Sequence, residues 1–168
     1  MPPRAAPLPA MADARRRQPA DRPLPAHPAP RAPHLSSPRL TIERLEVRRD
    51  RIVATVRVDP AHPNSTPRLA HALTSVLPDL PRHACVNSEG DYFASVMDHT
   101  SLPHVLEHVV IDLQTSAFAT TDPDRVFTGV TRWTDSSHGR ATVEVSYHDD
   151  VTAIRAFRDA ARLLNSLR

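Results

Sequence analysis

Lysine is absent from the 168 residues, and all 21 basic side chains are arginine. Mechanisms that need a lysine amine, such as Schiff-base chemistry or a phosphate-loop lysine, are thereby excluded. There is a single cysteine, Cys85. No internal disulfide can form, and the role of this thiol has to be explained by burial or by chemistry. Only three glycines are present, and they do not form a glycine-rich nucleotide loop. No apolar run approaches the ~20 residues of a membrane span. After Arg4 the N-terminus is rich in Ala and Pro and lacks the continuous apolar core of a signal peptide. These absences lead to the expectation of a cytoplasmic protein with no membrane partner.

Proline, by contrast, is abundant and unevenly placed. Residues 1–38 hold 11 of the 18 prolines, no aromatic residue and no apolar periodicity. Such a segment buries too little apolar surface to offset the entropy of ordering, which predicts a disordered tail over 1–38 and a domain over 39–168. Met11 lies within the tail and offers a second start site. The tail carries six arginines, including Arg15, Arg16 and Arg17, against Asp13 and Asp21, a balance of +4. The overall net charge is +2, so the remainder stands at −2. The basic balance thus belongs to the tail, and the domain has no basic excess that points to nucleic acid.

Within 39–168 the apolar pattern alternates between strand and helix periods. Residues 40–48 (LTIERLEVR) and 51–58 (RIVATVRV) alternate as strands and meet at Arg49-Asp50, which predicts a hairpin. Ser65 or Thr66 caps a helix that has Pro67 in its first turn, an apolar stripe of Leu69, Leu73, Val76 and Leu77, and an end before Pro78. A second helix starts near Ser101 and runs to about Phe118. Residues 126–133 (VFTGVTRW) and 140–147 (RATVEVSY) form a second hairpin. A last helix is capped by Asp149 or Asp150, with Ile154, Phe157, Ala161, Leu164 and Leu167 as its buried face. There is no βαβ alternation and no internal repeat. The expected class is α+β: one small domain whose two hairpins form an antiparallel sheet packed by about three helices.

On the second helix Leu102, Val105, Leu106, Val109 and Leu113 cover one broad face. His104 and His108 stand at i and i+4, the spacing at which two imidazoles can grip one zinc ion. Glu107 precedes the second histidine, as in the H-x-x-E-H arrangement where the glutamate takes a proton from metal-activated water. The same residues also suit an ordinary polar face. A catalytic zinc has three protein ligands, and the third is open from spacing alone. Glu144 lies at strand spacing between Val143 and Val145 and can face either way. Asp112 is rotated from the pair. Cys85, beside His83, is a soft ligand of the kind zinc favours or a small buried apolar residue.

The stretch VLPDLPRHACVNSEGDYFASVMDHTSLPHVLEHVVIDLQ (76–114) resembles the N-terminal domain of cyanophycin synthetases. The likeness returns in FTGVTRWTDSSHGRATVEVSYHDD and in the Ala-rich AIRAFRDAARLLNSL, so it covers about 40–168. It implies Cys85, His104 and His108 as zinc ligands and Glu107 as general base. It further implies a zinc-dependent hydrolase of the peptidase or amidase kind, acting on cyanophycin or a related Asp/Arg polymer. The other role that the resemblance implies is non-catalytic, holding the polymer or docking on a separate synthetase. The scattered charges Asp79, Glu89, Asp91, Asp98, Arg82, Arg132 and Arg140 suit such an alternating-charge ligand. The chain departs from the family in Pro103 for a glycine, Asp112 for a glutamate and Ser146 where a glutamate is expected. The ATP-grasp and Mur-ligase-like modules of a synthetase are missing, so the domain is expected to stand alone and not to synthesise polymer itself.

Overall fold

The computed structural model describes residues 37–167. The tail expected over 1–38 therefore lies outside the described residues, except for Ser37 and Pro38.

Period-two alternation places β1 at Leu40–Val47 and β2 at Arg51–Val58, with the turn at Arg49-Asp50 closed by Arg48 N–H donating to the Arg51 carbonyl at 2.9 Å. Further along the chain, β3 spans Gly129–Asp135 and β4 spans Arg140–Ser146. Their turn uses Gly139 at φ +67°, a left-handed conformation that suits glycine, and a Cβ there would strike the Val58 carbonyl. The two hairpins join through β2 and β4, giving one antiparallel sheet in the order β1-β2-β4-β3.

Alternation then separates two faces. Ile52, Ala54, Val56 and Val58 of β2, with Ala141, Val143 and Val145 of β4, point inward and are buried. The opposite face carries three glutamates, each held between two arginines. Glu46 pairs with Arg44 and Arg48, Glu43 with Arg57 and Arg140, and Glu144 with Arg51 and Arg132.

Three helices complete the fold. In α1 (Pro67–Val76) the Thr66 hydroxyl accepts from Leu69 N–H as the cap, and Leu69 and Leu73 are buried. Val76, expected in that stripe, is instead 52% exposed, because the helix ends there and its last turn faces out. In α2 (Leu102–Phe118) Ser101 is the cap, and burial extends well beyond the one apolar face to Glu107, His108, Asp112 and Gln114. In α3 (Asp150–Ser166), capped by Asp149, the buried line is Ala153, Ala156, Phe157, Ala160 and Leu164. Ile154, Ala161 and Leu167 flank that line and are only partly buried. The small alanines let α3 approach α2 and the sheet closely, so the contact line lies about one position from the bulkiest apolar residues.

α2 packs on β3 and β4, and α3 packs on β1 and β2. Both cover the inner face, where each fully buried Leu, Ile or Phe contributes on the order of 1.5–3 kcal/mol. Among the described residues no helix is long and apolar enough to cross a membrane.

Candidate metal centre

Between α1 and α2 the chain forms a loop that pins Cys85 beside α2. Phe93 N–H donates to the His83 carbonyl at 2.8 Å, and Cys85 N–H donates to the Asp91 carbonyl at 3.0 Å. Asn87 ties the tip down: its Nδ2 donates to the Cys85 carbonyl and its Oδ1 accepts from Glu89 N–H. Leu80 and Phe93, both fully buried, anchor the loop to the core.

The first two turns of α2 supply the imidazoles. His104 Nδ1 pairs with the Thr100 hydroxyl at 2.8 Å. With Nδ1 as the donor, Nε2 presents a bare lone pair. His108 Nε2 lies 3.2 Å from His104 Nε2, and Cys85 Sγ lies 3.5 Å from the same atom. All three ligand atoms lie within 4.8 Å of one another. The edges of a zinc tetrahedron, built from bonds of roughly 2.05 Å to nitrogen and 2.3 Å to sulfur, are about 3.3 Å for N–N and about 3.6 Å for S–N. The two edges at His104 match that spacing, and the donor set of one thiol and two imidazoles is of the kind zinc takes.

Burial prepares the ligands for a cation. Desolvation, followed by the neighbouring His104 and His108-facing His83, pushes the His108 pKa down to about 3. Desolvation also lowers that of His104. Both imidazoles are thus held neutral, the form that binds metal. Phe93 stacks on the His108 ring at 3.9 Å and meets His104 edge-on, which restricts both rings.

Glu107 borders the same cleft. Thr131 of β3 donates to its Oε2 at 2.6 Å, and the carboxylate stem passes directly over Gly129. A Cβ at Gly129 would come within 2.5 Å of Glu107 Cγ. Burial raises the Glu107 pKa, and the Thr131 hydrogen bond opposes that rise. A base poised nearer neutrality than an exposed glutamate is better matched to proton transfer at working pH.

The other ligand candidates fall elsewhere. Glu144 sits on the outer sheet face with its two arginines, away from α2. Asp112, buried one turn beyond His108, pairs with His83 Nε2 at 3.2 Å and supports the loop rather than joining the cluster. Thr100, Phe93, Gly129 and Thr131 went unnoticed in the sequence. A glycine inside a strand does signal close backbone approach, but no local pattern marks the other three.

The cleft beside the cluster has a volume of about 650 Å³ and opens between α2, β3 and the 84–86 loop. The model of the cyanophycin synthase-like N-terminal domain matches residues 52–168, well over half of the chain. The chain belongs to this family. The match spans β2 to the end of α3, so every residue of this cyanophycin synthase-like domain's candidate centre lies within it, and only β1 of the sheet precedes it. Comparison with curated proteins and with solved structures returns no match.

Proposed function

We propose that this cyanophycin synthase-like domain is a zinc-dependent amide hydrolase. The observation that carries the reading is the convergence of Cys85, His104 and His108, within 4.8 Å, beside a buried glutamate in an open cleft. Cys85, His104 and His108 would hold the ion, and zinc bound there would supply Lewis acidity that makes water more acidic and polarises a carbonyl. Glu107 accepts the proton of the attacking water and delivers it to the leaving nitrogen. Water adds to the carbonyl carbon, the C–N bond breaks, and a carboxylic acid and an amine result. Thr131 holds Glu107 in the rotamer that borders the cleft. The family makes an Asp/Arg polymer such as cyanophycin the first substrate to test. A reducing compartment such as the cytoplasm keeps the Cys85 thiol free to ligate.

Purified protein is expected to carry about one zinc per chain by elemental analysis and to release amine from an amide substrate only when zinc is present. Stoichiometric zinc with no hydrolysis of polymer or peptides overturns the reading. Gly129→Ala tests the positioning of the base. Its Cβ displaces the Glu107 stem, and a misplacement of that size is expected to lower kcat by about 10²-fold while zinc content is retained.

A second reading, a polymer-holding or synthetase-docking module with structural zinc, is favoured by the outer sheet face. Six arginines and three glutamates gather there, on a surface that no helix among the described residues covers. Chelation that unfolds the protein without any hydrolysis ever being measured supports this alternative.

A further inference from the structure

Two ring nitrogens beside the candidate centre are buried and have no hydrogen-bond partner: His83 Nδ1 and His108 Nδ1. The two rings are neighbours, with centroids 5.7 Å apart and planes tilted by 44°. Their placement follows from the local backbone. The chain runs extended from His83, with Ala84 bridged to Tyr92, so His83 and Cys85 point to the same side. Cys85 thereby meets His104, while His83 meets the following turns of α2, where its Nε2 lies 3.2 Å from Asp112 Oδ1. On α2 itself His104, His108 and Asp112 follow one another at the i, i+4 spacing of one helix side.

The proton positions follow from these contacts. His108 Nε2 faces His104 Nε2 at 3.2 Å, so Nε2 is the atom that would ligate and the ring proton belongs on Nδ1. There it is a buried donor without an acceptor, and such a group forfeits its hydration with nothing in return. His83 has the opposite need. Its Nε2 faces the Asp112 carboxylate, which favours the proton on that nitrogen and leaves Nδ1 as a buried bare acceptor. His104 is already served, since its Nδ1 pairs with the Thr100 hydroxyl. We propose that His83 is the acceptor for the His108 Nδ1–H, directly after a small ring rotation or through one bridging water, so that Asp112, His83 and His108 form one hydrogen-bonded chain ending on the metal. His83 is thus a positioning residue: it fixes the tautomer and orientation of His108 and raises the basicity of Nε2, with the Asp112 charge behind it. This role rests on the metal-centre reading above and does not depend on hydrolysis. The loop then serves the centre twice, with a ligand in Cys85 and, two residues earlier, the support of another ligand.

Zinc affinity of the full chain is measured by competition with a chromophoric chelator, zinc alone being the ligand. His83→Phe keeps a ring beside His108 and removes both nitrogens, and it is expected to weaken zinc binding by ~10–100-fold, the usual cost of losing a ligand's outer partner. His83→Asn, whose amide oxygen stands near the place of Nδ1, is expected to recover most of that loss, which a merely space-filling residue would not do. In the zinc-loaded unmodified chain, nitrogen NMR of the imidazoles is expected to find His108 protonated on Nδ1 and His83 on Nε2. Zinc affinity unchanged by His83→Phe, equal losses in His83→Phe and His83→Asn, or a proton on His83 Nδ1 overturns the proposal. So does a larger loss in Asp112→Asn than in His83→Phe, because the carboxylate would then reach His108 without His83. Uptake of zinc with no hydrolysis removes the hydrolase reading and leaves this one standing. A chain that takes up no zinc removes the metal centre and this role together.

Discussion

Glu107→Gln is expected to lower the rate of amide hydrolysis by about 10²–10⁴-fold, the range for loss of a positioned general base. Glutamine preserves the size of the side chain, so it still fills the space over Gly129 and can still accept from Thr131. What it loses is the ability to take a proton. Cys85, His104 and His108 are untouched, so zinc content by elemental analysis should stay at the wild-type level. The Thr131→Val variant removes the 2.6 Å hydrogen bond that restrains the carboxylate and opposes the rise in its pKa. It should shift the acid limb of the pH–rate profile upward, an effect that a purely structural threonine would not produce. Hydrolysis that survives Glu107→Gln at the wild-type rate removes Glu107 from the mechanism.

The metal-free domain is expected to lose stability as the pH falls below neutrality. His108 takes up its proton near pH 3 in the folded state, because burial and two neighbouring imidazoles disfavour its charge. In the unfolded chain it does so at the ordinary value of about 6.5. Between these limits the unfolded state binds more protons, so stability is fully present above about pH 6.5 and drains away toward pH 3, at up to about 1.4 kcal/mol per pH unit for one such histidine. His104, also shifted down, acts in the same direction. Glu107 acts the other way, since a carboxyl raised above its usual value favours the folded state at lower pH. That gain builds as the pH falls from its raised value to the ordinary carboxyl value and is constant below it, so it offsets part of the loss from the two histidines. Urea unfolding of the chelated protein at pH 7.5 and at pH 5.5 should therefore give a lower midpoint at pH 5.5, and His108→Gln should flatten the difference. Zinc adds stability at pH 7.5, about 4 kcal/mol at a thousand times its dissociation constant. That gain should vanish on acidification as protons compete for the ligands. An unchanged midpoint between the two pH values contradicts the account.

Much of the fold is written locally. The caps Thr66, Ser101 and Asp149, the prolines at the first turns and the two alternating pairs of segments place all seven main elements within a few residues of where they stand. Each of these signals acts between residues that are near one another in the chain, so the side chains alone decide them. The His104–Glu107–His108 spacing belongs to the same class, because a helix turn sets their relation regardless of what surrounds it.

What lies between distant segments was decided differently. Cys85 reaches His104 because the loop pairs His83 and Cys85 with Phe93 and Asp91 and because Phe93 is driven into the core. In the sequence it entered the site only through the family likeness. Glu144 was open to either face until the β2–β4 register turned Val143 and Val145 inward and left it among arginines. The support that Thr131 and Gly129 give to Glu107 exists only because β3 is the sheet edge on which α2 lies. Periodicity sets the phase of a side chain about its own backbone, and the sequence settled that much. Which two phases meet depends on strand order and helix docking, which are set by the burial of the whole apolar surface at once, and this only the tertiary structure decided.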